Sequence, residues 1–216
     1  YLSKFGGDSE VRRIREKLSH KLLRLFRENA SDDWPWIEDT VTYANGKIPQ
    51  ALILSGSRQN QTEMLNAGLR GLEWLMNIQT DSRGHFVPVG NNGWYHRGGE
   101  KARFDQQPIE ALDMIEACRE AYEATNDEKW LSHAQRCLEW FLGRNDLNAP
   151  LYDHKSGGCC DGLQADGPNR NQGAESTLVC FLSLLALNQM SGRQIAVEAT
   201  AETNLETQWE VTVHGQ

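Results

Sequence analysis

An internal repeat written in helical periodicity restricts this chain more than any other feature. Leu72-Glu73-Trp74-Leu75 recurs as Leu138-Glu139-Trp140-Phe141, and Gln50-Ala51-Leu52 ahead of the first copy is matched by Glu110-Ala111-Leu112 ahead of the second. In a third, weaker copy Gln172-Gly173-Ala174-Glu175 echoes Gln107-Pro108-Ile109-Glu110. The spacing is roughly 60 to 66 residues, room for two helices and their connections. A sequence repeating at that period is built from helix pairs that bury their apolar faces on one another.

The apolar positions agree. Val11, Ile14, Leu18, Leu22, Leu25 and Phe26 fall on one face of a first helix over 11–27, with Asp8 or Ser9 as its cap. Further helices are expected over 48–54 (Pro49 in the first turn), 63–79, 107–124, 130–142 and 171–190. Strand-like alternation is confined to 208–213. The reading is an all-α domain over 1–190, an (α/α) hairpin toroid or part of one with three hairpins visible. A polar tail, cap or disordered stretch follows over 191–216. Three of the helices are preceded by long polar loops, 32–45, 84–105 and 150–171. In a stack of antiparallel hairpins these three helices start at the same end, so the loops are expected to meet on one rim.

Bulk properties exclude several functions. The net charge of −8 is the wrong sign for neutralising phosphates, so no nucleic-acid partner is expected. The longest apolar run, 179–187, is interrupted by Ser183 and is far short of the roughly 20 residues that span a bilayer. Neither an apolar signal segment nor an initiator Met stands at Tyr1-Leu2-Ser3-Lys4, so the chain reads as a cytoplasmic protein and as part of a longer polypeptide. Five cysteines without a CxxC spacing indicate neither a zinc site nor a disulfide framework. Cys118, Cys137 and Cys180 sit in apolar helical patterns, as small core residues do.

The loops carry the chemistry. The first packs four carboxylates (Asp32, Asp33, Glu38, Asp39) and three aromatics (Trp34, Trp36, Tyr43) into twelve residues. Aromatic faces stack on the C–H faces of sugar rings, and carboxylates accept hydrogen bonds from hydroxyls or act as acid and base. The same tryptophans would equally serve to anchor the loop. The second loop holds His85, Trp94, Tyr95, His96 and Arg97, and ends Arg103-Phe104-Asp105-Gln106-Gln107-Pro108-Ile109-Glu110. Long amides such as Gln106 and Gln107 are poor helix caps but good hydroxyl partners, whereas Asp105 is a natural cap and Glu110 suits a first turn. The third loop gives Gly157-Gly158-Cys159-Cys160-Asp161-Gly162 and Asn169-Arg170-Asn171-Gln172-Gly173-Ala174-Glu175. A nucleophilic cysteine there would need a base, for which His154 is the nearest candidate. No histidines stand at metal spacing and no glycine motif follows a strand, so neither metal nor cofactor is expected.

Four segments together, 32–39, 103–111, 158–162 and 171–177, resemble a bacterial glycosyltransferase-associated helical domain, itself similar to the six-hairpin glycosidase-like (α/α) toroids. The resemblance covers roughly 11–190 and implies a toroid with a sugar-sized cleft. A full toroid has six hairpins. The remainder would come from further hairpins or a glycosyltransferase domain in the native chain, or from a homo-oligomer.

The resulting expectation is a carbohydrate-active domain, glycoside hydrolase-like, that acts on glycosidic bonds through paired carboxylates. Candidates for the pair are Asp33, Glu38, Asp39, Asp105, Glu110, Asp161 and Glu175, with Asp105 opposite Glu38 or Asp39 as the favoured combination. Trp34, Trp36, Tyr43, Trp94 and Tyr95 would stack sugar rings. His96, Arg97, Arg103, Gln106, Gln107, Asn171 and Gln172 would bind hydroxyls or an anionic group. The alternative is a non-catalytic glycan-binding accessory domain of a glycosyltransferase. A helical-repeat scaffold for proteins would use a broad helix face instead of loops, and a sugar epimerase would want a histidine pair such as His85 and His96.

Overall fold

The computed structural model describes residues 8–192. The strand-like stretch 208–213 and nearly all of the expected tail lie outside them. Six helices dominate the described residues: α1 (Ser9–Asn29), α2 (Lys47–Arg58), α3 (Thr62–Ile78), α4 (Pro108–Thr125), α5 (Lys129–Phe141) and α6 (Ala174–Ser191). None is long and apolar enough to cross a membrane. Each expected helix is present, with ends set by local chemistry. Asp8 caps α1 by accepting from the Val11 N–H at 3.0 Å. Pro108 opens α4, and Asn126 closes it in the left-handed region at φ 53°. Residues 171–173, expected as helix, instead form the approach to α6.

Helices α2, α4 and α6 are neighbours in that order, backed by α1, α3 and α5. Helix α4 sits in the middle and is buried nearly all round, from Glu110, Ala111 and Leu112 through Glu120 and Ala121. The start of α2 lies against it so closely that a Cβ at Gly46 would overlap the Asp113 backbone. The main core includes Ile53, Leu72, Leu75, Met76, Met114, Ile115, Trp140, Phe141 and Val179, and a smaller cluster of Leu23, Phe26, Ile37, Leu52 and Met64 lies under α1. Cys118, Cys137 and Cys180 belong to the main core, as do Cys159 and Cys160. One side of α6 remains open: Leu178, Phe181, Leu182 and Leu185, spaced as a helical stripe, are 59, 42, 39 and 56% exposed.

Backbone pairing stitches the three long loops together. Strand β1 (Thr40–Val41) of the first loop pairs antiparallel with β2 (Tyr95–His96) of the second, Thr40 opposite His96. The second loop pairs with the third where Gln106 and Leu163 exchange N–H···O bonds of 3.0 and 2.9 Å. Leu163 lies in β3 (Gly162–Gln164), which forms a hairpin with β4 (Gly167–Asn169). The approach leaves no room for a side chain at Gly162, whose Cβ would stand 2.6 Å from the Gln106 carbonyl oxygen.

Candidate functional site

The loop side chains divide by whether protein partners already engage them. Trp34 and Trp36 are 3 and 2% exposed, so their faces are not offered to a ligand, contrary to the sequence expectation. The reason is local. Each indole N–H donates within its own loop, Trp34 to the Glu38 carbonyl at 2.7 Å and Trp36 to the Thr40 carbonyl at 3.2 Å, so both rings can be buried with no donor left unpaired. Both rings pack against Trp74, Trp34 edge-to-face and Trp36 tilted, and the Tyr95 ring lies 5.0 Å from that of Trp34 in the same cluster. Trp94 is half-buried at φ 57°, an uncommon conformation for a bulky residue.

The carboxylates of the first loop are also placed differently from expectation. Asp33 and Asp39 are exposed on either side of Arg97, each 3.7 Å from its guanidinium. Arg97 further donates to the Ser31 hydroxyl at 2.6 Å, and exposed His96 meets the Thr40 hydroxyl at 3.1 Å. Glu38 is exposed. Asp105 is half-buried with a left-handed backbone, φ 58°, and its carbonyl accepts from the Asn91 N–H. No hydrogen bond or ion pair links Asp105 to Glu38 or Asp39 among the described residues, so the favoured pairing has no contact to support it.

Gln106 and Arg103 belong to a closed network. Gln106 is 1% exposed; its amide N–H groups donate to the Arg103 carbonyl at 2.7 Å and to Asp146 at 2.9 Å, and its oxygen accepts from the Trp140 indole at 2.6 Å. Arg103 bridges Asp81 at 2.8 Å and Asp146 at 2.6 Å, and His85 reaches Asp146 at 2.9 Å. The Arg83 backbone N–H and the Arg103 guanidinium hold the Asp81 carboxyl well below the usual carboxylate range. Asp81, His85 and Asp146 present ligand atoms within 4.8 Å of one another, a spacing a metal ion would accept. Arg103 bonds one oxygen of each of the two aspartates. Gln106 therefore does not face a ligand as expected: a buried amide with all its groups bonded is a strut, whereas Arg103, held by the same carboxylates, stays half exposed. Beside them, burial lowers the Lys101 ammonium to about 8, and it donates to the Val87 carbonyl at 2.8 Å.

A different arrangement lies at the starts of α4 and α6. A cavity of about 300 Å³ opens there, lined by Gln107, Pro108 and Ile109 from one helix start and by Asp161, Gly173, Ala174, Glu175, Ser176 and Val179 from the other side. Its volume is at the lower end of small-molecule sites. Asp161 holds α6 in place. One carboxylate oxygen accepts from the Gly173 N–H at 2.8 Å and the Ser176 hydroxyl at 2.7 Å, and the other accepts from the Asn171 amide. The Ser176 bond leads the effects that lower its pKa, so it is ionised at neutral pH. Gln172 is likewise engaged, by Ser156 at 2.8 Å and Asp153 at 3.2 Å. Asn171 and Gln172 were expected to bind ligand; they brace the third loop instead.

Glu110 ties the first loop to α4. It is 2% exposed and accepts from the Ala44 N–H at 2.6 Å and the Asn45 amide at 2.9 Å. Burial raises its carboxyl to about 7 against those donors, which favour the charged form. One turn on, Asp113 is 1% exposed with neither oxygen in a well-aligned hydrogen bond; its counter-charge is the Lys47 ammonium at 3.1 Å, which also pairs with Glu116.

Tyr43, Gln107 and Glu175 make no side-chain hydrogen bond or ion pair among the described residues, and neither do Asp105 and Glu38 of the adjoining loops. Tyr43 is half exposed. Its phenol pKa is raised by partial burial first and then by the carboxylates of Glu175, Glu110 and Asp113. The Ala44 N–H bond to Glu110 places the first loop beside the first turn of α4. A primary amide and a carboxylate lining a small open cavity suit a ligand rich in hydroxyls or amines. Sequence reasoning named all of these residues but could not separate them from their engaged neighbours. It missed Asp146, Asp81 and Asp113; the only signal for Asp146 was its position just after α5, ahead of the third loop. No protein-family model matches the chain, and no curated protein matches it.

Proposed function

We propose that this chain is a carbohydrate-binding helical domain, three hairpins of an (α/α) toroid that hold a sugar at the starts of their inner helices, accessory to a glycosyltransferase. One observation carries the reading. The loop-rich end opens a sugar-scale cavity whose uncommitted lining groups are Gln107 and Glu175. Binding is favoured over bond cleavage because hydrolysis of a glycoside needs two carboxyl groups that reach the scissile bond. Of the carboxylates around this cavity, Asp161 is occupied in capping α6 and Glu110 is enclosed, leaving Glu175. The resemblance of the loop segments to a glycosyltransferase-associated domain supports the accessory role.

One observation favours the alternative, a glycoside hydrolase. Glu110, raised to about 7, would be a proton donor at neutral pH, with Glu175 as the second carboxyl group. Titration of the chain with a panel of neutral oligosaccharides, alongside a reducing-sugar assay, separates the two. The binding reading expects saturable binding, weakened about five- to tenfold by Glu175→Gln, and no sugar release. Sugar release that disappears in both Glu175→Gln and Glu110→Gln would establish the hydrolase, and absence of binding to every saccharide would end both.

A further inference from the structure

The charges around the cavity select among sugars. No Lys or Arg lines it, whereas Asp161 and Glu175 do. Behind them lie two buried carboxyl groups, Glu110 and Asp113, and the field of Glu110, Asp113 and Glu175 extends to the Tyr43 phenol. Lys47, the cation of this end, is engaged by Asp113 and Glu116. Arg170, on the third loop, is turned to the Cys160 thiol. The helix N-termini would ordinarily attract anions, but each already has carboxylates beside it: Glu110 and Asp113 on α4, Glu175 on α6 and Asp161 of the third loop against its start. An anionic ligand entering this cavity would meet uncompensated negative charge, and a phosphate or carboxylate would find no guanidinium or ammonium to receive it.

Resting on the carbohydrate-binding reading, we infer that the cavity takes an amino sugar with a free, protonated amine, the ammonium against Glu175 and the ring hydroxyls against Gln107. An ammonium supplies three donors to a site whose one unengaged charged group is an acceptor. An N-acetylated sugar keeps the shape but loses the charge. A uronic acid or sugar phosphate reverses it.

The test is a chemical-shift titration of the full chain at low ionic strength with glucosamine, galactosamine and mannosamine, each beside its N-acetylated form, its neutral hexose and its uronic acid. The expected result is that at least one amino sugar binds about three- to tenfold more tightly than its N-acetylated and neutral counterparts, with the uronic acid weakest. Glu175→Gln should abolish that preference, and Glu128→Gln, which removes one exposed charge at the start of α5, should leave it intact. If neutral and amino sugars bind equally, or the uronic acid binds best, the inference fails and the carbohydrate cleft stands. A preference that survives Glu175→Gln would assign it to the net negative charge of the chain and overturn the inference. If none of the sugars binds, the inference and the cleft fall together.

Discussion

Two polar regions face each other in this molecule's logic, and they differ in completion. Around Gln106 and Asp146, side chains are bonded to acceptors inside the protein: amide to carbonyl and carboxylate, indole to amide, guanidinium and imidazole to carboxylate. Around the cavity, the side chains of Gln107 and Glu175 stand beside equally polar neighbours and make no hydrogen bond or ion pair among the described residues, although Gln107 is adjacent to Gln106 in the chain. Burial with full pairing makes a polar cluster part of the frame, and openness with pairing left undone makes it a site. Residue type alone does not distinguish the two.

The contrast predicts a graded series of effects. Gln106→Ala should be the most damaging substitution, because it leaves the Trp140 indole N–H without an acceptor and Asp146 short of a donor. A loss of about 3–5 kcal/mol is expected in urea unfolding; a loss below about 1 kcal/mol would mean that the network is not closed. Gly162→Ala comes next, at about 2–3 kcal/mol, because the added Cβ forces the second and third loops apart at their shared pair of backbone bonds. Thermal unfolding measures it, and an unchanged midpoint would show that the loops are not stitched as described.

The pH dependence sharpens the boundary at Glu110. Its folded pKa is raised, to about 7, so the unfolded chain gives up this proton at lower pH than the folded one does. Stability should therefore fall as pH climbs from about 4.5 to about 7, by roughly 3 kcal/mol from this group. Glu110→Gln should flatten that slope in denaturant titrations across the window, and an unaltered slope would place the proton elsewhere. Asp161 has the opposite sign: its pKa is lowered, so its contribution is present above the ordinary carboxylate range and is lost as pH falls through the folded value. Asp161→Ala should cost about 1–2 kcal/mol at neutral pH, as removal of a helix cap does. The smallest effect is expected from Glu175→Gln, within about 0.5 kcal/mol in stability but with weakened sugar binding. A large stability loss there would move Glu175 to the frame side of the comparison.

Much of the frame was legible because it rests on periodicity. All six helices follow from apolar spacing, Pro49 and Pro108 mark first turns, and the long loops ahead of 48, 107 and 171 gave their convergence at one end. The end of α2 was underestimated, since Ser55, Gly56 and Ser57 carry no apolar signal yet continue the helix to Arg58. The site was less legible. Trp34 and Trp36 look like stacking platforms until their indole donors are seen to close on carbonyls four residues away. Asn171 and Gln172 look like hydroxyl binders until Asp161 and Asp153 are placed beside them. These are contacts between loops with no period to follow, so only coordinates reveal which amide is engaged.

The open side of α6 has a consequence for how such a molecule can grow. Leu178, Phe181, Leu182 and Leu185 give the array a flank where another helix could be laid down without disturbing any contact among the first three pairs. Lengthening by duplication would bury oily surface at the junction and leave the earlier cavity intact. By the same token, the chain by itself carries an adhesive edge that should make it retain strongly on hydrophobic resin.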